Sequence, residues 1–202
     1  MTQPKRLTEQ QRKFAELLVY NEGKMSPAEA AYEAGYKTRA RRAAAEMRNP
    51  KYFPLVVKYI GDQGQLAGVM AKKVIESGIR GHLDEIWGSE ITVYYPGLYA
   101  GATDCVGVYD GRPAIIDFKQ SNKPKRKEWI EDYFVQLAAY AMAHNYVYNT
   151  KIQSGIILMC TKDKLFQKFE IRDKEFQRFL WEWLRRVDLY YEKHSKLANN
   201  HG

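Results

Sequence analysis

Two hydrophobic patterns divide the chain. Over the first sixty residues the apolar positions recur at helical spacing. Phe14, Leu17 and Leu18 predict a helix between Leu7 and Asn21, which Thr8 can cap and Gly23 stops. Ser26-Pro27-Ala28-Glu29 starts a second, short helix, with a serine cap, proline at the first position and glutamate closing a capping box; it ends at Gly35. A third helix, TRARRAAAEMRN, is expected to begin at a Thr38 cap and to stop before Pro50. Further along, Val69–Trp87 reads as helix broken near Gly78–Gly81. Glu90–Tyr95, Thr103–Tyr109, Arg112–Lys119, Ile152–Cys160 and Leu165–Ile171 read as strands. Glu128–Asn145 and Asp173–Lys196 are predicted helices; Phe176, Phe179, Leu180, Trp183, Leu184 and Val187 form a core stripe on the second. The tail LANNHG is expected to fray. This order predicts an α/β protein: a small helical module over residues 1–60, then a sheet domain over residues 61–202. The polar, glycine-bearing Gly61–Gly68 stretch is the expected linker.

The most specific local signal is Asp110-Gly111 between two β-prone runs. A type I′ turn needs positive φ at both central residues, and Asp-Gly supplies it. A two-residue loop sets the register: Tyr109 pairs with Arg112, and counting back brings Asp104 opposite Asp117. Side chains alternate along a strand, so Asp104, Asp117 and Lys119 point one way, and Ile116 and Phe118 the other. Two like charges opposite each other on a sheet are destabilising unless something offsets the repulsion. A hard divalent cation held by oxygen ligands, Mg²⁺ or Mn²⁺, fits that need. Lys119 beside it can steady an attacking water or a developing negative charge. A solvated polar face on an edge hairpin is the plainer reading of the same residues.

Charge extends the picture. The chain has 202 residues, a net charge of +8 and a pI near 9.3, which favours a polyanionic partner. The excess is uneven: residues 1–60 hold 12 Lys/Arg against 6 Asp/Glu, and residues 61–202 hold 20 against 18. Cys105 and Cys160 lie in apolar runs and read as buried, reduced thiols, too few for a four-thiolate cluster. No signal-peptide-like segment opens the chain and no apolar run approaches the ~18 residues of a membrane span. The expectation is a cytoplasmic protein without membrane insertion; oligomeric state is not legible.

Two short helices joined by a glycine turn, the second loaded with Arg39, Arg41, Arg42 and Arg48, have the layout of a helix-turn-helix. The string SPAEAAYEAGYKTRARRAAAEMRNPKYFPLVVKYI is similar to the DNA-binding part of phage terminase small subunits. That resemblance implies duplex DNA as ligand, with Arg39, Arg41 and Arg42 on the recognition helix. A helical bundle with solvated arginines is the alternative. Lys123, Lys125 and Arg126 form a basic loop after the hairpin, suited to phosphate contacts.

Gly101-x-x-Asp104, Asp117-Phe118-Lys119 and Gln136-x-x-x-Tyr140, in that order, resemble the PD-(D/E)XK nucleases, specifically the RecB-type and phage exonuclease branch. The resemblance spans about residues 86–171 and implies a restriction-endonuclease-like αβββαβ core. It further implies a Mg²⁺-dependent deoxyribonuclease, an exonuclease more than an endonuclease. Asp104 and Asp117 would be metal ligands, with Phe118 in the metal set, and Lys119 the catalytic lysine; Glu90, which opens its strand, could add a third carboxylate near the metal or be an exposed strand-end glutamate. Gln136 and Tyr140 would line the DNA path. Gln120 stands where such proteins usually carry threonine, and the usual upstream Gly-Thr-x-x-His helix has no counterpart. The rival reading is a non-catalytic phage DNA-binding protein, terminase small subunit-like, with a relic nuclease half.

Overall fold

A computed structural model describes residues 6–199. The chain forms two compact units, Met1–Ala71 and Lys72–Gly202.

In the first unit, α1 (Glu9–Tyr20) starts at Thr8 and α2 (Pro27–Glu33) at Ser26, each with a complete capping box. Gly35, at φ +107, turns the chain out of α2, as the sequence predicts. α3 (Ala40–Met47) departs from expectation at its start: Arg39 occupies the cap position, no side chain caps it, and Thr38 lies outside. The core of this unit is built of small residues: Ala30, Ala31, Ala34, Ala43 and Ala44 pack with Phe14, Met47 and Val56. Short side chains let helices approach closely, so three helices of 12, 7 and 8 residues still share a core.

α4 (Pro54–Val74) overturns the linker expectation, because Gly61–Gly68 lies inside one continuous helix of 21 residues. Three glycines in a helix are each unfavourable by about 1 kcal/mol relative to alanine, and flanking Tyr59, Leu66 and Met70 keep the helical period. The division between the units falls in the last turn of α4.

The second unit is a five-stranded sheet in the order β1-β2-β3-β4-β5. β1 (Leu83–Tyr95), β2 (Tyr99–Tyr109) and β3 (Arg112–Ser121) form an antiparallel meander. α5 (Glu131–Tyr148) then carries the chain over to β4 (Ser154–Thr161), parallel to β3. β5 (Phe166–Arg172) returns antiparallel and α6 (Asp173–Asn199) closes the unit. This is the predicted mixed α/β order. The helix expected across Val69–Trp87 ends earlier: a π-helical turn covers Ile75–Ile79, and Leu83–Trp87 belongs to β1. Helical residues reach Asn199, so the expected fraying does not begin at Leu197; 200–202 lie outside the described residues.

β4 is buried on both faces throughout, as a central strand beside a parallel neighbour must be. On one side Ile115, Ile157 and Met159 meet Phe134, Leu137, Ala138 and Ala141 of α5 and Phe176 and Phe179 of α6. Each fully buried Leu, Ile or Phe contributes about 1.5–3 kcal/mol, enough to hold α5 against the sheet beside the aspartates.

Candidate active site

The Asp-Gly turn forms as predicted, with φ of 47° at Asp110 and 75° at Gly111, and pairing runs from Tyr109↔Arg112 to Cys105↔Ile116. One step further along that register are Asp104 and Asp117. On β3 the parallel partners of Asp117 and Lys119 are Ile157 and Met159, both in the cluster under α5. Parallel partners share a face, so Asp117 and Lys119 look toward α5.

Asp104 is anchored by an amide: Phe118 N–H donates to its Oδ2 at 2.9 Å. Asp117 is 6% exposed. Lys119 Nζ lies 2.7 Å from its Oδ2 as an ion pair. Burial above all, and then the neighbouring Asp104 carboxyl, push the Asp117 carboxyl up to about 7, against the pull of Lys119. Lys119 also sits over the Tyr133 ring, 4.8 Å from its centroid, so its ammonium is held between a carboxylate and a π face.

Gln136 and Tyr140 come together one turn apart on α5, Gln136 Nε2 donating to the Tyr140 hydroxyl at 2.9 Å. Burial first, and then the Asp117 charge, raise the Tyr140 hydroxyl pKa. The ring has a seat on β2: a Cβ on Gly101 would overlap Tyr140 Cε1. Only glycine leaves that space open. Gly101, Tyr133 and the Phe118 amide are thus supporting groups: Gly101 stands in the Gly101-x-x-Asp104 pattern, and Tyr133, which its place on the helix suggested as a stacking surface for bases, lies under the Lys119 ammonium instead.

β2 carries a break in alternation at this point. Ile91 packs on the α5 cluster and pairs with Thr103, while Val106, three residues on, joins the same cluster. A strict period of two cannot place residues three apart on one face. The backbone reason is Glu90, at φ 51°, standing opposite Asp104 between the pairs Ser89↔Cys105 and Ile91↔Thr103. Glu90 is exposed and lies within β1 rather than at its start. Among the described residues no group of three or more His, Cys, Asp and Glu side chains gathers to hold a metal, so Glu90 does not join the aspartate pair in one cluster. Phe118 has only its carbonyl to offer a cation, its ring being 38% exposed.

A hard divalent cation fits the donors that are present. The two carboxylates are adjacent, and burial with the Asp104 neighbour disfavours charge on Asp117, which a bound cation would offset. The basic loop lies at the end of β3. Lys125 N–H donates to Gln167 Oε1 and Lys125 O accepts from Gln167 Nε2, which ties the loop to β5. Lys123 and Lys125 flank Pro124, and Arg126 stacks 5.3 Å from the exposed Trp129. Arg39, Arg41 and Arg42 lie in the first unit, exposed at the start of α3.

No family model matches the chain. It is similar to mitochondrial genome maintenance exonuclease 1 of Homo sapiens, 37% identical over 101 residues, which cover 47% of this chain and 29% of that protein. The same protein of Mus musculus is 35% identical over 106 residues, covering 50% and 31%. The chain thus spans less than a third of the length of these relatives. Among solved structures it is similar to an exonuclease-named protein of Eubacterium rectale, 11% identical, covering 100% of this chain and 88% of that one at a TM-score of 0.48. The alkaline exonuclease of Laribacter hongkongensis is 14% identical, covering 93% of each chain at a TM-score of 0.27. Neither structural likeness is close enough to carry an argument. No described helix is long and apolar enough to cross a membrane.

Proposed function

We propose that the second unit is a metal-dependent deoxyribonuclease of the PD-(D/E)XK type that hydrolyses phosphodiester bonds, acting as an exonuclease. One observation carries this: the buried Asp117 has the Asp104 carboxyl beside it and the Lys119 ammonium 2.7 Å from its Oδ2, two carboxylates and a lysine at one point of the sheet. Identity of 35–37% to exonuclease-named relatives supports the reading.

Asp104 and Asp117 would hold Mg²⁺ or Mn²⁺, with the Phe118 carbonyl the further oxygen next to them in the chain. The chemistry such an ion supplies when bound is polarisation of a phosphate oxygen and a water made nucleophilic at neutral pH. Lys119 offers an ammonium to the attacking water or to negative charge developing on the phosphate. The Tyr133 ring and Asp117 hold that ammonium in place. Gln136 and Tyr140, locked to one another, form the wall of the strand path next to the carboxylates. Lys123, Lys125 and Arg126 contact backbone phosphates, which position the strand without reading it.

The experiment is digestion of linear and closed-circular DNA with Mg²⁺, Mn²⁺ or chelator. Degradation of the linear form alone, and only with metal, is the expected result. Cutting of the circle makes the protein an endonuclease. Absence of cleavage under every condition favours a binding protein with a relic catalytic half.

A further inference from the structure

Lys119 has two partners of different kinds, and they answer differently to a cation. We infer that Tyr133 is a positioning residue: its ring face keeps the Lys119 ammonium in the site when the Asp117 carboxylate is neutralised by another positive charge. The inference rests on the cation site proposed above and concerns the residue that serves it from α5.

The lysine needs such a partner. Its side chain is 26% exposed, so the ammonium has lost most of its water and its three N–H donors need substitutes. Asp117 Oδ2, at 2.7 Å, is one. Charge brought to that carboxylate by a divalent cation would weaken its hold on Lys119 and repel the ammonium. An ion pair alone would then leave a flexible four-carbon stem free to swing its charge out to water. The Tyr133 ring is different in kind. Its attraction comes from the quadrupole of the π face, which charge placed on Asp117 does not use up.

The ring is placed for this. Tyr133 stands in the first turn of α5, half-buried, and packs on the cluster that joins α5 to the sheet. Lys119 Nζ lies 4.8 Å from its centroid, inside the roughly 6 Å over which a ring face attracts a cation. Gln136 follows three residues later and Tyr140 seven, so ring, amide and hydroxyl share one face of the helix. Core packing fixes the ring, and the ring fixes the ammonium. Leucine at this position would keep an apolar contact with the cluster and leave the lysine Asp117 alone.

The test reads the lysine itself, without cleavage. In the full chain labelled with carbon-13 at lysine Cε, the Lys119 resonance is identified by its loss in Lys119→Arg. Protons over a ring face are shifted upfield by the ring current. The signal should lie upfield in the parent and in Tyr133→Phe, and should move to the position of exposed lysines in Tyr133→Leu. Asp117→Asn, studied without metal, removes the carboxylate charge; the Lys119 signal should stay upfield. With linear DNA and Mg²⁺, Tyr133→Leu should lower kcat by on the order of 5- to 30-fold at unchanged KM, and Tyr133→Phe should restore it. Thermal melting shows whether Tyr133→Leu is folded, and the Asp117→Asn protein decides the matter without it. An Asp117→Asn protein whose Lys119 signal moves to the exposed position, or a folded Tyr133→Leu protein that keeps the parent's signal, would overturn the proposal. A parent that cleaves nothing would sink the nuclease reading instead, and the resonances would still decide the role of Tyr133.

Discussion

Asp110 and Asp117 lie on one hairpin, and their carboxyls are treated in opposite ways. Asp110, at the turn, is half exposed and well partnered: His82 Nδ1 lies 2.8 Å from Oδ1 and Lys168 Nζ 3.3 Å from Oδ2. The His82 contact leads in holding its pKa below the usual carboxylate range, partly opposed by burial, with Lys168 adding to it. Asp117 is buried, has another carboxyl for a neighbour and is pushed up to about 7. One carboxylate is matched to its surroundings at the surface; the other is paired with Lys119 yet has its pKa raised by burial and by the Asp104 carboxyl. A carboxylate in that condition next to a lysine is the basis of the cation site proposed above.

The contrast can be broken most forcefully at the buried end. Asp117→Ala should lower cleavage of linear DNA with Mg²⁺ by on the order of a thousandfold or more while circular dichroism stays that of the folded protein. Full activity in this variant, or in excess chelator, would falsify the site. Lys119→Ala should follow, with turnover reduced about 10²- to 10³-fold and little change in DNA affinity. Weaker binding at unchanged turnover would make Lys119 a phosphate anchor instead.

Smaller effects concern stability. A carboxyl whose folded pKa lies above its unfolded value holds its proton longer in the native state. Its contribution is therefore complete at acid pH and lost as pH rises from about 4 through about 7. Metal-free Asp117→Asn should then be more stable than the parent at pH 8, by on the order of 1–2 kcal/mol, and no more stable at pH 4. Urea titrations at the two pH values measure it; equal differences at both would mean that Asp117 is not held protonated by its surroundings. Asp110→Asn is the counterpart, since asparagine tolerates the same left-handed turn. Here the sign reverses: a lowered pKa gives stability above the usual carboxylate range that is lost as pH falls through the folded value. Because the pair is half exposed, the cost at neutral pH should stay within about 1 kcal/mol. A loss of several kcal/mol in urea titration at pH 7 would show that the turn end, too, is built on a buried charge.

What the sequence determined by itself is local. Asp110-Gly111 dictated turn and register because few residues accept positive φ, and register alone aligned Asp104 with Asp117. Thr8 and Ser26 marked helix starts because their capping boxes are closed within four residues. The spacing of Gln136 and Tyr140 placed them on one helical face. Tertiary structure decided the rest. Leu83–Trp87 became strand because β2 was there to pair with it, and Gly61–Gly68 became helix although its composition reads as linker. Thr38 lost its cap because α3 begins two residues later. The space at Gly101 that receives the Tyr140 ring, the kink at Glu90 opposite Asp104, and the burial of Asp117 arise between segments far apart in the chain. Burial and packing are properties of several segments at once, and no spacing within any one of them encodes what the others will place against it.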